Sequence, residues 1–358
     1  MTSASPYANT EFNLKHHYFS LLIKQKGWGL LGIFLAVVTA YSGIALLAVS
    51  GWFISAAGLA GLSALVAHQF DFFTPGALVR GLSMARTAGR YGERITSHEA
   101  TFRVISHLRS DLFRWISRHH WSEIRLDRHE SASRLMQDIQ KIESIYLSAL
   151  LPAIVAIASG LGYLFVLWLV LPTALVFALV ALLLTLLLIP WLYSRHLFNL
   201  QNQLHTQRAQ QWQNSSAMLS SLRTLTLHER LSQVGEQLVE QGQQADLNEV
   251  ATVNRQQTWL LLSDLILIAL TLVTLWLSFQ AWQAEQLQAA NLFMLLLLTL
   301  GTADVIKSIS PALADWQLGI SALDRLQSNL GSQSQFSDRS DSVRTFDAKG
   351  DIPGVQLK

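Results

Sequence analysis

The chain has 358 residues, of which 51% are hydrophobic and 14% are charged, against roughly 25% charged in an ordinary soluble domain. This composition is typical of a protein embedded in a membrane. The formal net charge is +2 and there is no cysteine, so nothing indicates nucleic acid as a partner, and disulfides, thiolate metal sites and cysteine nucleophiles are excluded.

Five apolar stretches approach the length of about 20 residues that a helix needs to cross the hydrocarbon core of a membrane. They are 27–50, 146–171, 173–192, 259–279 and 289–300, the last extended towards Pro311. A sixth span is expected between Ala57 and Leu108, where Asp71, Pro75 and an arginine-containing segment dilute the apolar pattern. We therefore predict an all-α polytopic membrane protein with six transmembrane helices.

Lysine and arginine are distributed unevenly among the segments that join these spans. Residues 51–75, the turn at Pro172 and residues 280–290 contain neither, whereas the N-terminus, 103–141, 195–255 and the C-terminal tail contain them. Loops on the cytoplasmic side of a membrane carry the excess of Lys and Arg. This pattern therefore predicts that both termini are cytoplasmic.

Two segments between the spans are polar and rich in helix-forming residues. Residues 193–257 predict two antiparallel helices of roughly 27 residues, each about 40 Å long, with a turn near 220–230. Residues 98–145 have the same character, with a turn near 121–129. Such long hairpins are suited to carrying force from a cytoplasmic partner into the membrane; a coiled stalk for oligomerisation is the alternative.

Two stretches resemble a known family closely. They are LLAVSGWFISAAGLAGL (46–62) and ALVRGLSMARTAGRYGERITSHEATFRVISHLR (77–109). The chain resembles the membrane domain of the CydC-type subunit of the bacterial ABC transporter that is required for cytochrome bd assembly. The resemblance implies a type I ABC exporter fold, with the hairpin tips at 121–129 and 220–230 on nucleotide-binding domains, and pairing with a CydD-type partner subunit in the bacterial inner membrane.

The expected organisation is an ABC exporter transmembrane domain over residues 1–330 and a linker over residues 331–358. That tail is rich in Ser and Asp, which is typical of a linker, and it would lead to a nucleotide-binding domain. The chain contains no GxxxxGK[ST] sequence with which to hold the phosphates of ATP. We therefore expect ATP to act only through a nucleotide-binding domain, either truncated or separately encoded.

A cationic ladder is the most unusual feature of the predicted second span. Arg86, Arg90, Arg94 and His98 recur every fourth residue and so share one face of a helix. Counting residues back from the hairpin predicted at 98–145 places Arg90, Arg94 and His98 within the membrane. A charge there needs a cavity, a counter-charge or a ligand. The alternative is a solvated or partner-facing cytoplasmic stem, in which Glu93 neutralises Arg90 and Arg86 points to lipid phosphates.

The family resemblance implies a ligand for this ladder, since CydC-type transporters bind a b-type haem within the membrane domain. His98 and Arg94 match the histidine and arginine of the family's ERxxSH stretch. The resemblance thus implies His98 as an axial ligand of haem iron, and Arg94 with Arg90 as partners of a propionate. Gly89 and Gly92 would let a flat macrocycle approach the backbone.

Three further ionisable residues fall within or beside the apolar stretches: Asp264, Asp304 and Lys307. They are candidates for lining a substrate cavity. Asp304 and Lys307 are three residues apart, so a self-neutralising pair is the alternative for them. Asp264 has no partner near it in the sequence, and contact with a basic residue of the second helix is the alternative for it.

Two functions are consistent with these features. In the first, the chain is the transmembrane subunit of a heterodimeric ABC exporter that supports cytochrome bd biogenesis, with a thiol such as cysteine or glutathione, or a haem-linked molecule, as cargo. In the second, it is a membrane haem-binding or haem-sensing module without transport activity of its own. An ATPase domain downstream in the gene, or haem-stimulated ATP hydrolysis by the assembled pair, would favour the first. Stable haem binding by this chain without dependence on an ATPase partner would favour the second.

Overall fold

The structure is a computed structural model that describes residues 14–24, 26–62, 64–118 and 138–327. All regular secondary structure within these ranges is helical, so the predicted all-α class is confirmed. The predicted turn at 121–129 and the linker at 331–358 lie outside the described residues, and the domain boundary at residue 330 stays a prediction.

The described ranges contain eleven numbered helices. They are α1 (Leu14–Lys24), α2 (Lys26–Ala60), α3 (Ala64–Gln69), α4 (Phe73–Arg118), α5 (Leu151–Val170), α6 (Leu175–Leu183), α7 (Ile189–Ser220), α8 (Leu222–Leu227), α9 (Leu231–Gln283), α10 (Ala289–Ile306) and α11 (309–327). Residues 138–144 form a further helix that continues through a π-helical turn, Ile145–Leu150, into α5. A second π-helical turn, Leu184–Leu188, joins α6 to α7.

Five helical segments in the described ranges are long and apolar enough to cross a membrane. They are Gly27–Ala60, Asp138–Val170, Pro172–His196, Leu231–Gln283 and Ala289–Gln327. They match the five apolar stretches predicted from the sequence to within one residue at Leu171, which confirms a polytopic membrane protein. The segment predicted to hold the sixth span forms α4, a continuous helix of 46 residues; its passage through the membrane stays a prediction.

The hairpin predicted over residues 193–257 is confirmed as a pair of antiparallel helices. The side-chain amide of Asn214 in α7 donates to Gln241 in α9 at 3.2 Å, and that of Asn248 in α9 donates to Gln207 in α7 at 3.4 Å. Residue numbers fall along one helix as they rise along the other, so the two run in opposite directions. The short helix α8 joins them at the predicted turn.

The chain divides into two compact units. The first contains the described residues of 1–36, 90–151 and 315–358. Its core brings together α1, α4, α11 and the helical residues 138–145 through buried side chains such as Leu14, Leu108, Ile142 and Leu323. The hydroxyl of Tyr18 donates to the carbonyl of Ile142 at 3.2 Å, and burial raises the pKa of this phenol above its ordinary value, so it remains a donor.

The second unit contains residues 37–89 and 152–314. Tyr163 of α5 is 2% exposed in its core. The Tyr163 hydroxyl lies 3.2 Å from Oγ1 of Thr274 in α9 and 3.0 Å from Oγ1 of Thr299 in α10. One phenol therefore joins three helices through hydrogen bonds inside an otherwise apolar core.

Replacing this phenol tests its contribution to stability. We expect Tyr163→Phe to lower the free energy of unfolding by about 1 kcal/mol, the scale of a hydrogen bond between membrane helices. Thermal unfolding of the purified protein in detergent measures the change. The same substitution in a Thr274→Val, Thr299→Val background should cost almost nothing, and an equal loss in both backgrounds would contradict the hydrogen-bonded junction.

Candidate functional site

Helix α4 carries the cationic ladder, and its first turn is capped by Asp71. The Asp71 carboxylate accepts hydrogen bonds from the backbone N–H of Phe73 at 2.9 Å, and from the Thr74 N–H and hydroxyl. These bonds, led by that of the Thr74 hydroxyl, lower the pKa of Asp71 below its ordinary value. Such a cap satisfies N–H groups that have no partner within the helix.

Close contacts between α2 and α4 show which part of the first span lies beside the ladder. The contacting pairs are Gly32 with Ser97, Leu35 with Gly92, and Gly43 with Arg86. The helices are antiparallel, because the α2 numbers rise as the α4 numbers fall. Since the first span begins at Gly27, these contacts lie about 7, 12 and 24 Å along it at 1.5 Å per residue. The ladder therefore runs beside an apolar helix.

The arginines of the ladder lack an ion-pair partner among the residues that the structure describes. Arg90 and Arg94 are exposed and Arg86 is half-buried, and none of the three forms an ion pair with another described residue. Oε1 of Glu93 instead lies 3.0 Å from the Ser97 hydroxyl, which donates to it. Among the described residues Glu93 therefore forms no ion pair with Arg90, and the alternative of a solvated stem stays a prediction.

The next arginine along α4 differs from the ladder. Nε of Arg103 lies 2.6 Å from the Glu99 carboxylate, and its guanidinium lies 5.5 Å from the centre of the Trp28 ring. Arg103 thus has an anionic and an aromatic partner. This contrast separates the ladder from the ordinary basic residues of the same helix.

His98 is half-buried at one end of the ladder. Its Nδ1 atom is buried with no hydrogen-bond partner among the residues that the structure describes, and its ring lies 5.7 Å from that of Phe102. A buried ring nitrogen without a partner is unusual. An imidazole with such a nitrogen, next to unpaired guanidinium groups, fits the chemistry of haem iron and propionates.

The glycines beside the ladder do not leave an open face. A Cβ placed on Gly92 would lie 3.1 Å from Cδ1 of Leu35, and Gly89 is buried. The expectation that Gly92 leaves room for a macrocycle is therefore wrong, because Leu35 of α2 occupies that space. A planar ligand would have to approach from the side of the exposed arginines.

The three other candidate residues lie together. Nζ of Lys307 lies 2.5 Å from the Asp304 carboxylate, which confirms the local pair that the spacing suggested. Asp264 is exposed on α9 and lies within electrostatic reach of Lys307. Their role in lining a substrate cavity stays a prediction.

One residue beside the ladder was not predicted from the sequence. Tyr146, in the first π-helical turn, is 3% exposed, and its hydroxyl donates to the carbonyl of Gly29 at 2.8 Å. A Cβ on Gly32 would lie 3.2 Å from this hydroxyl. The available signal was the spacing of Gly29 and Gly32, since small residues one turn apart are typical of close contacts between membrane helices.

The described residues contain no group of three or more His, Asp or Glu side chains that could hold a metal ion. Any iron at the ladder would depend on the porphyrin for most of its ligands. Together the fold and this face define an all-α polytopic membrane protein with an unneutralised cationic helix beside its first span.

Comparison with curated proteins confirms the predicted resemblance to the CydC-type family. The chain is 39% identical over 151 residues to the glutathione/L-cysteine transport system ATP-binding/permease protein CydC of Escherichia coli, covering 40% of this chain and 26% of that protein. It is 39% identical over 143 residues to the protein of the same description in Haemophilus influenzae, covering 37% and 24%. The matched part is about a quarter of each relative. No family profile matches the chain.

The Asp71 cap predicts a pH-dependent first turn of α4. The pKa of Asp71 is lowered in the folded state, so its carboxylate stabilises this turn at pH values above the ordinary aspartate pKa of about 3.9. This stabilisation is lost as the pH falls through the lowered pKa. We expect exchange protection of the Phe73 and Thr74 amides, corrected for intrinsic rates, to fall over that range. Asp71→Asn should remove the pH dependence; an unchanged profile would contradict the cap.

Proposed function

We propose that this chain is the transmembrane subunit of a heterodimeric ABC exporter in the bacterial inner membrane, with both termini cytoplasmic. The observation that carries the proposal is the hairpin of α7 and α9. Its connecting helix α8 presents Leu222 and Leu227, which are 44% and 75% exposed. Exposed leucines at the tip of a polar hairpin are suited to an apolar contact with a partner, and a nucleotide-binding domain would supply the other surface.

The comparisons with curated proteins support a proposal for the cargo and the partner subunit of this exporter. Both relatives are described as glutathione/L-cysteine transport proteins, so we propose glutathione and cysteine as cargo and a CydD-type subunit as the partner. Transport of such thiols would support cytochrome bd biogenesis. ATP would be hydrolysed in nucleotide-binding domains, and its effect would reach the membrane through α8.

Transport by the assembled complex tests this function. Inside-out vesicles containing this chain with a CydD-type partner and nucleotide-binding domains should accumulate glutathione or cysteine only when ATP is supplied. Leu227→Asp should abolish accumulation, because a carboxylate at the tip disfavours an apolar contact. Leu247→Asp is the matched control, since Leu247 is 70% exposed in the stem of the same hairpin. Wild-type vesicles that accumulate neither thiol would refute the proposal.

We further propose that the ladder holds haem b: the His98 imidazole would bind the iron, and Arg94 and Arg90 would pair with the propionates. The buried, unpaired Nδ1 of His98 supports this proposal, as do the two exposed arginines on the same face. When bound, haem supplies an iron centre whose potential is tuned by its axial ligand. The chain's own residues would orient the imidazole through Phe102 and donate N–H groups to carboxylates.

Absorbance of the purified complex tests the haem site. Wild type should show a Soret band, and His98→Ala should abolish or strongly reduce it, because the axial nitrogen is lost. His107→Ala is the control, since His107 is an exposed histidine of the same helix. A band that His98→Ala leaves unchanged, or a wild type without one, would refute the assignment.

A haem-binding or haem-sensing module without transport is the second candidate. The unneutralised ladder favours it, because this feature needs a ligand whether or not cargo moves. Haem that binds equally well without any ATPase partner, in a complex that does not accumulate thiols, would support this candidate over the exporter.

A further inference from the structure

Two buried serines of the second unit have hydroxyl groups that lack a hydrogen-bond partner. Ser263 of α9 is 2% exposed and Ser310 of α11 is 0% exposed, and neither Oγ atom has a partner among the residues that the structure describes. Other buried hydroxyls of α9 pair within their own helix, since Thr271 and Ser278 each donate to the carbonyl four residues earlier. An unpaired hydroxyl in an apolar core costs free energy, so these two groups indicate a ligand.

Two contacts show how α9 lies beside α10 and α11. Thr274 of α9 and Thr299 of α10 both lie within hydrogen-bond distance of the Tyr163 hydroxyl. Trp259, 15 residues before the first of these threonines, packs in one cluster with Ala314, 15 residues after the second. Residue numbers fall along α9 as they rise through α10 and α11. The helices are therefore antiparallel, and the two contacts agree in register.

The two unpaired serines lie at the same level between these contacts. Ser263 follows Trp259 by four residues, or about one helical turn, and Ser310 precedes Ala314 by four residues. Because the helices are antiparallel, both steps lead in the same direction from the packed pair. A step of four residues also stays on one face of a helix. The serines therefore come together where α9 contacts α11.

A break in the helix adjoins this pair of serines. Helix α10 ends at Ile306, residues 307 and 308 form a turn, and α11 begins at residue 309. Pro311 has no N–H, so it cannot donate to the carbonyl of Lys307, four residues earlier. Ser310 is one helical turn from that carbonyl. In membrane helices, serine side chains and ordered water satisfy the backbone groups that a proline leaves unpaired.

We propose that Ser263 and Ser310 bind one water molecule at this break. The water accepts a hydrogen bond from each hydroxyl and donates one to the carbonyl of Lys307. A buried water makes about three hydrogen bonds to polar groups that lack other partners, and these three oxygens supply that number. The ammonium of Lys307 beside the break disfavours a metal cation. The site is independent of the cargo and of the haem proposal.

Serine-to-alanine substitutions test this water, because an unpaired hydroxyl and a water-bound hydroxyl respond to removal in opposite directions. The measurement is the midpoint of thermal unfolding of the purified full chain in detergent. The variants are Ser263→Ala, Ser310→Ala and the double substitution. Ser278→Ala is the matched control, since Ser278 is a buried serine of α9 whose hydroxyl donates to the carbonyl of Thr274 at 2.6 Å.

We expect each single substitution at the site to lower the midpoint by about 2 °C, because it leaves the water and the remaining hydroxyl with a missing partner. The double substitution should lower the midpoint by less than the two single shifts together, because the water is lost with the first hydroxyl. Ser278→Ala combined with Ser310→Ala should give additive shifts, since these residues share no partner.

The opposite results would overturn the water site. A higher midpoint for either single variant means that an unpaired hydroxyl was removed, and unchanged midpoints or additive shifts at the two serines mean that nothing joins them. A midpoint of wild type that rises in sodium chloride relative to choline chloride, but not in Ser263→Ala, would assign a cation instead. In a cryo-EM map of the full chain, density within hydrogen-bond distance of both hydroxyls supports the water. A direct bond between the two serines in that map would exclude it.

Discussion

The cost of placing a charge beside an apolar helix is the constraint on which the functional interpretation depends. The close contacts between α2 and α4 leave little freedom in the level of the ladder, because each pairs a glycine with an atom of the other helix. The positive charges of α4 therefore lie beside the first span. In hydrocarbon such charges require a counter-charge or a water-filled cavity, and the described residues contain no ion pair for them.

The same contacts explain how α4 packs closely against α2 despite its polar residues. Small residues let two helix backbones approach closely, which favours association where the hydrophobic effect contributes little. At Gly32 this approach is secured by Ser97 and by the Tyr146 hydroxyl, which also satisfies the carbonyl of Gly29. Apolar packing and hydrogen bonds thus hold α4 against α2, while Arg90 and Arg94 remain exposed.

The sequence was sufficient for the features that depend on length and periodicity. Apolar runs predicted the five long helices, and the polar, glycine-poor stretch at 193–257 predicted the hairpin with its turn. The ion pair of Asp304 with Lys307 followed from helical spacing alone. Each of these features is local in the chain, so one segment contains the information needed to predict it.

Features that depend on contacts between distant segments could not be predicted in this way. The space at Gly92 is filled by Leu35, and nothing near residue 92 in the sequence indicates this neighbour. Glu93 has Arg90 within reach on its own helix, yet its Oε1 accepts a hydrogen bond from Ser97. The role of Tyr146 required the position of α2, which the sequence near Tyr146 does not specify.

The amide pairs of the long hairpin have a mechanical consequence. Asn214 with Gln241 and Asn248 with Gln207 recur seven residues apart on each helix, or about two turns. Both pairs are exposed, and together they favour the register in which all four amides are matched. A slip of one residue would break both pairs at once. A force applied to the tip of the hairpin would therefore be transmitted along α7 and α9 together.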